Sequence, residues 1–165
     1  MLVEYIASLI INLISFLGYI GIFLLMVMES MIFPIPSEVV MPFAGFLIAQ
    51  GRFSFLGIFI ASSLGSLVGS LISYYIGKLG GRPLIINYGK YFFLNKKHLE
   101  ATERFFSKKG EKTILISRFI PVVRHLISIP AGIANMNIKK FIFYTFIGAT
   151  MWNMLLTFLG FKLKE

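Results

Sequence analysis

Four charged side chains interrupt the most apolar parts of this chain. Glu29 and Glu38 lie in "ESMIFPIPSE" at 29–38, and Arg118 and Arg124 in "SRFIPVVR" at 117–124. At the centre of a bilayer each such charge costs at least about 2.5–3.5 kcal/mol on insertion scales, so groups of this kind are expected to face a cavity and pair with one another. Their chemistry divides the work. Arginine does not readily deprotonate, and its planar fork matches a phosphate. Arg118 and Arg124 are therefore candidates to hold a lipid phosphate headgroup. A carboxyl in a cavity of low dielectric takes up a proton more readily than one in water, which makes Glu29 and Glu38 candidates for proton coupling or gating. A competing assignment puts all four near the headgroups or in structural ion pairs. His125 is either a proton relay or a hydrogen-bonded polar residue of the same segment.

These charges must be positioned by membrane-embedded elements. The chain has 165 residues, of which 57% are hydrophobic. Its mean hydropathy of +0.83 lies outside the range of soluble domains. Three runs carry no charge, Tyr5–Met28, Phe53–Gly77 and Phe141–Phe161, and each exceeds the roughly 20 residues a helix needs to cross a bilayer. No basic residue precedes the first run, and it is too long for the apolar core of a signal peptide, so a retained segment is expected. The runs predict a multi-pass membrane protein with one membrane domain over 1–165; the plasma membrane is its expected location.

Between the runs lie two apolar stretches rich in helix breakers. Residues 33–50 contain Pro34, Pro36, Pro42 and Gly45; residues 113–137 contain Pro121, Pro130 and Gly132. Proline removes a backbone donor and interrupts helices. Such stretches predict re-entrant hairpins, covered by protein or lining a water-filled cavity. The first run is expected to break near Gly18 or Gly21. Along 53–77, Gly57, Gly65, Ser66, Gly69, Ser70 and Ser73 are spaced for close helix contact.

Net charge is +9, yet nucleic acid is excluded by where the charge sits. Nine of the sixteen basic residues, against three acids, fall between Lys78 and Lys112. That is the pattern of a cytoplasmic loop under the positive-inside rule. A short interfacial helix is expected in it, capped by Asn95, ended by Gly110, with Leu99, Thr102, Phe105 and Phe106 on one face. The chain has no cysteine and no aspartate. Thiolate metal sites, cysteine nucleophiles and aspartyl dyads are excluded, and no cofactor or metal is expected.

The halves of the chain align with each other. Pro34 matches Pro121 and Ala44-Gly45 matches Ala131-Gly132, both at an offset of 87; Gly65, Gly69 and Gly77 align with Gly148, Trp152 and Gly160 at an offset of 83. A hairpin plus one span crosses the membrane an odd number of times, so successive copies point in opposite directions. The predicted fold is all-α: an inverted repeat (about 20–77 and 113–161) with two opposed re-entrant hairpins plus transmembrane helices. The basic loop 78–112 lies between the copies.

The motifs "E-x4-P-x-P-S-E" at 29–38, "AG" at 44–45, "G-x3-G-x4-Y-x2-G" at 65–77, "R-F-x-P-x2-R" at 118–124, "AG" at 131–132 and "F-x6-G-x3-W" at 141–152 resemble the DedA membrane-protein family, also called the VTT-domain or SNARE-associated-Golgi-protein family. The resemblance covers about residues 20–161. It implies facing re-entrant hairpins and movement of phospholipids or undecaprenyl phosphate between leaflets. It also implies that the family's functional acids and arginines map onto Glu29, Glu38, Arg118 and Arg124. Two departures stand out. Many members carry an acid where this chain has Ser70, and many carry a further hydrophobic helix beyond the position of Gly160. The second implies either a shortened member or a truncated chain, with apolar surface left for a partner.

The function expected is thus a transporter or flippase for a phosphate-bearing lipid, with protons as a coupling partner and a homo-oligomer permitted. One alternative is a scaffold whose charges lock the hairpins together. Another is a lipid-phosphate hydrolase, to which Ser117-Arg118, His125 and "KLGGRP" bear a similarity. Its histidine is one residue too far from the arginine, and an orienting aspartate is missing. A Ser–His intramembrane protease using Ser66 or Ser70 is the weakest alternative, because these serines sit at packing positions.

Overall fold

A computed structural model describes residues 2–31, 35–81, 83, 86–87 and 96–163. Among the described residues every regular element is helical. They are α1 (Leu2–Leu17), α2 (Tyr19–Glu29), α3 (Ser37–Ala49), α4 (Phe55–Tyr75) with a π-helical extension (Ile76–Gly81), α5 (Lys96–Ser117), α6 (Pro121–Leu126), α7 (Ser128–Ile133) and α8 (Ile138–Lys162). Among the described residues two helices are long and apolar enough to cross a membrane, Phe55–Gly81 and Ile138–Lys162. The first apolar run is instead divided. Gly18 adopts φ 60° and ψ −130°, a conformation that side-chain-bearing residues avoid, so α1 ends there and α2 starts afresh. Gly21 lies inside α2, packed on the Leu13 carbonyl.

The chain divides into two compact units, residues 1–69 with 149–165, and residues 70–148. In the first, α1, α2 and α3 pack together around Ile14, Ile22, Met26, Val40, Met41 and Ala44, joined by Ile58 and Leu156. Gly65 and Gly69 admit the α2 backbone at Phe23 and Val27. Asn153 donates from Nδ2 to Ser66 Oγ at 3.0 Å, and Thr150 donates to Ser63 Oγ at 2.8 Å. The small residues of α4 therefore both pack and accept hydrogen bonds. Ser54 caps α4, its Oγ accepting from the Gly57 amide at 3.1 Å.

The second unit is built on Tyr74, Phe106, Ile114, Ala131, Met136 and Phe141. The Tyr74 hydroxyl donates to the Met136 carbonyl in the interior. Tyr74→Phe would leave that carbonyl without its donor and should cost about 1–2 kcal/mol, read as a lower melting temperature in detergent. An unchanged melting temperature would remove this bond from the account. After α7, Asn135 takes φ 53°. The Met136 amide bonds back to the Ala131 carbonyl at 3.0 Å, closing a helix-ending turn. Asn137 Oδ1 then caps α8 by accepting from the Lys139 and Lys140 amides at 3.0 and 3.3 Å.

The helix of the basic segment is longer than expected. It runs through Gly110 to Ser117, because Gly110 faces Met136 and Phe106 and is held by packing rather than released as a cap. Phe106 is in the core while Phe105 is exposed. Glu111 pins α5 to α8 through an ion pair with Lys140 and a hydrogen bond from the Tyr144 hydroxyl at 3.1 Å. The Lys140 bond, then the Tyr144 bond, hold the Glu111 carboxyl below its ordinary value. With a lowered folded value, the pin stabilises above the ordinary glutamate range and is lost as pH falls through the lowered value. Glu111→Gln should abolish that acid-side loss. Wild-type and variant melting curves that decline in parallel below about pH 5 would contradict it.

Both units contain the same glycine clasp. In the first, a Cβ on Gly45 would overlap the Thr157 carbonyl, and one on Gly160 would overlap the Pro42 carbonyl. In the second, Gly132 meets the Tyr74 carbonyl in the same way, and Gly77 the Ile129 carbonyl. The positions correspond: 132 − 45 and 129 − 42 both give 87, while 160 − 77 and 157 − 74 both give 83. Gly45 and Gly132 therefore do not break helices, as their sequence setting suggests. They lie within α3 and α7 and let backbones touch.

Candidate functional site

Sequence dictates a break after α5. Pro121 clashes with a helical residue before it, and Ile120 is accordingly extended at φ −105° and ψ 110°. Pro121 then opens α6 at a first-turn position, where its missing amide proton is not needed. The last turn of α5 tightens, with Phe119 N bonding to Ile116 O at 3.1 Å and Ile120 N to Ser117 O at 3.1 Å. Pro130 falls in the first turn of α7, for the same tolerance. The segment 118–133 is thus two short helices joined at Ile127.

Both arginines of this segment are turned inward, Arg118 with 1% and Arg124 with 2% of its surface exposed. The Arg118 guanidinium spans the break. Its Nη1 donates to the Arg124 carbonyl at 3.2 Å. Its Nη2 donates to Ser128 Oγ at 3.1 Å and Thr145 Oγ1 at 3.2 Å. Gly148 admits the Arg118 stem: a Cβ there would lie 2.9 Å from its Cγ. One side chain thereby ties the end of α5 to α6, α7 and α8. His125 is half-buried in the last turn of α6.

The glutamates belong to the other unit. Glu29 ends α2 and is fully buried. Glu38 lies in the first turn of α3 and is exposed, where a negative charge suits the helix dipole. Pro36 occupies the position just before α3. Pro34 lies outside the described residues. Pro42 falls inside α3 without ending it.

Sequence reasoning passed over Ser128, Thr145 and Asn153. Asn153 carried a usable signal, since an amide in an apolar span demands partners. Ser128 and Thr145 carried none, because hydroxyl residues are common in such helices and only folding brings them to Arg118. Among the described residues no group of three histidine, cysteine or acidic side chains is placed to hold a metal.

The model of the VTT domain matches residues 35–162. The chain belongs to this VTT-domain, or DedA, family. Undecaprenyl phosphate transporter A of Bacillus subtilis (strain 168) is 39% identical over 147 residues, which cover 89% of this chain and 72% of that protein. Its namesake in Staphylococcus aureus (strain NCTC 8325 / PS 47) is 38% identical over 156 residues, covering 92% of this chain and 77% of the relative. A Lactococcus lactis subsp. cremoris (strain MG1363) relative, 37% identical over 163 residues, is named alkaline phosphatase-like protein and is covered over 76% of its length, with 96% of this chain matched. No solved structure gives a significant match. The family and, among the described residues, two helices long and apolar enough to span a bilayer make this a membrane protein.

Proposed function

We propose that this VTT-domain protein moves a phosphate-bearing lipid between the leaflets of the plasma membrane, with undecaprenyl phosphate the first substrate to test. The observation that carries the reading is the pair of buried arginines, Arg118 and Arg124, on a proline-broken segment of a membrane protein. Two such cations suit a phosphate better than any neutral cargo. The names of two relatives favour the same headgroup. Glu29 and Glu38 are assigned proton coupling or gating, His125 a relay. The equivalent glycine clasps support an inverted repeat with opposed re-entrant segments, a multi-pass arrangement with the basic stretch 78–112 on the cytoplasmic side.

The test is translocation of labelled undecaprenyl phosphate and phosphatidylethanolamine in proteoliposomes, with and without a pH gradient. Translocation of the first is expected, faster with the gradient, and Glu29→Gln or Glu38→Gln should abolish the acceleration. No movement of either lipid in either condition would sink the reading. A second reading has a specific observation behind it: the Arg118 bonds to Arg124, Ser128 and Thr145 are what a scaffold would use. Under that reading an Arg124→Gln protein that remains folded keeps its function; under transport it does not. Phosphate release from a lipid phosphate would instead favour a hydrolase.

A further inference from the structure

One cavity is used by none of these roles. It has a volume of about 760 Å³, within the roughly 300–1,000 Å³ range of ligand sites. It lies in the second unit, between the C-terminal half of α5 and the segment α6–α7. Lys108, Lys109 and Lys112 line it together with Ile116, Val123 and Ile127. Neither Arg118 nor Arg124 lines it.

The lining changes character along one helix stripe. Residues 108, 112 and 116 stand four apart and so share a face. Eight residues of helix carry that face about 12 Å, from ammonium groups to an isoleucine that is 60% exposed. A water-soluble ligand would leave this apolar end unfilled, and an apolar one would leave the lysines unmatched. Glu111 also lines the cavity, but Lys140 already pairs with it. None of the three lysines pairs with a carboxylate among the described residues.

We propose that this groove holds an anionic phospholipid of the surrounding leaflet, its phosphate on Lys108, Lys109 and Lys112 and an acyl chain along Ile116, Val123 and Ile127. The site is separate from the arginine pair and stands whether or not the protein transports lipid. Anionic lipid attracts each basic residue at the surface by an amount equivalent to roughly fivefold in affinity. A selective lipid contact is therefore the property to measure.

A reporter is available because Trp152 is the single tryptophan. Trp152→Phe with Ile116→Trp moves it to the exposed groove wall. The protein is reconstituted in phosphatidylcholine doped with brominated phosphatidylglycerol or, at equal mole fraction, brominated phosphatidylcholine. Quenching by the anionic lipid should correspond to at least about fivefold preferential occupancy. Lys108→Gln with Lys109→Gln and Lys112→Gln, all on exposed positions, should bring the ratio to about one. Equal quenching by both lipids, or a preference that survives the three glutamines, would overturn the proposal. So would quenching by neither, which assigns the groove to a second copy or another chain segment. Quenching reads contact rather than movement, so its failure leaves the transport reading standing.

Discussion

Replacing Arg118 with alanine should lower stability by about 3–5 kcal/mol. The change removes three donated hydrogen bonds at once. It strands the buried Ser128 and Thr145 hydroxyls and the Arg124 carbonyl, and it empties the slot beside Gly148. For a chain of this length the loss corresponds to a fall of about 6–20 °C in melting temperature. Arg118→Lys should fall between, since one ammonium cannot reproduce a fork that reaches acceptors on three elements. Arg104→Ala, on an exposed position of α5, should stay within about 0.5 kcal/mol. Thermal unfolding in detergent, followed by circular dichroism, decides it. An Arg118→Ala protein that melts with Arg104→Ala would show that the fork is not what holds the broken segment. The same variant should be inactive in translocation, so activity alone cannot be read as loss of a phosphate contact.

The second large effect is expected at the glycine clasps. Gly132→Val places methyl groups against the Tyr74 carbonyl, and Gly45→Val does the same against that of Thr157. Neither obstacle is a side chain that can swing aside. Overpacking usually costs about 1–3 kcal/mol, and contact with fixed backbone belongs at or above the upper end. A drop of about 6–12 °C is expected for each variant. Gly80→Ala, which opens onto free space, should have almost no effect. Because the clasps use equivalent positions, the two valine variants should cost similar amounts, and the double variant their sum. If Gly132→Val melts like Gly80→Ala, the clasp is not closed in the membrane-embedded protein. If one valine is severe and the other mild, the repeat equivalence fails.

Much of this was legible before any coordinates. The uncharged runs Phe53–Gly77 and Phe141–Phe161 fall, to within a few residues, on the helices Phe55–Gly81 and Ile138–Lys162, because hydropathy over some 20 residues is a local property. Pro121 and the break it enforces follow from steric rules that act between neighbours. Gly18 was in view as a break point, yet its consequence was not: two shorter helices in place of one span. A single backbone conformation decided that, and composition does not report it. The offsets of 87 and 83 were visible as matching letters. Their meaning was not, because a glycine that ends a helix and one that admits a neighbouring backbone look alike in sequence. The same ambiguity let α5 run past Gly110.

By itself, then, the sequence determined the class of molecule, the four charges worth explaining and the break at Pro121. Each follows from a residue's own chemistry or its immediate neighbours, and apolar composition of this kind has no soluble solution. Only the tertiary structure decided which groups meet. It brought Ser128, 10 residues away, and Thr145, 27 residues away, to the Arg118 fork, set Arg124 inward and Glu38 outward, and turned the paired glycines into clasps. Those outcomes depend on packing between segments distant in the chain, where a hydroxyl or a missing Cβ acquires a role only from what is placed against it.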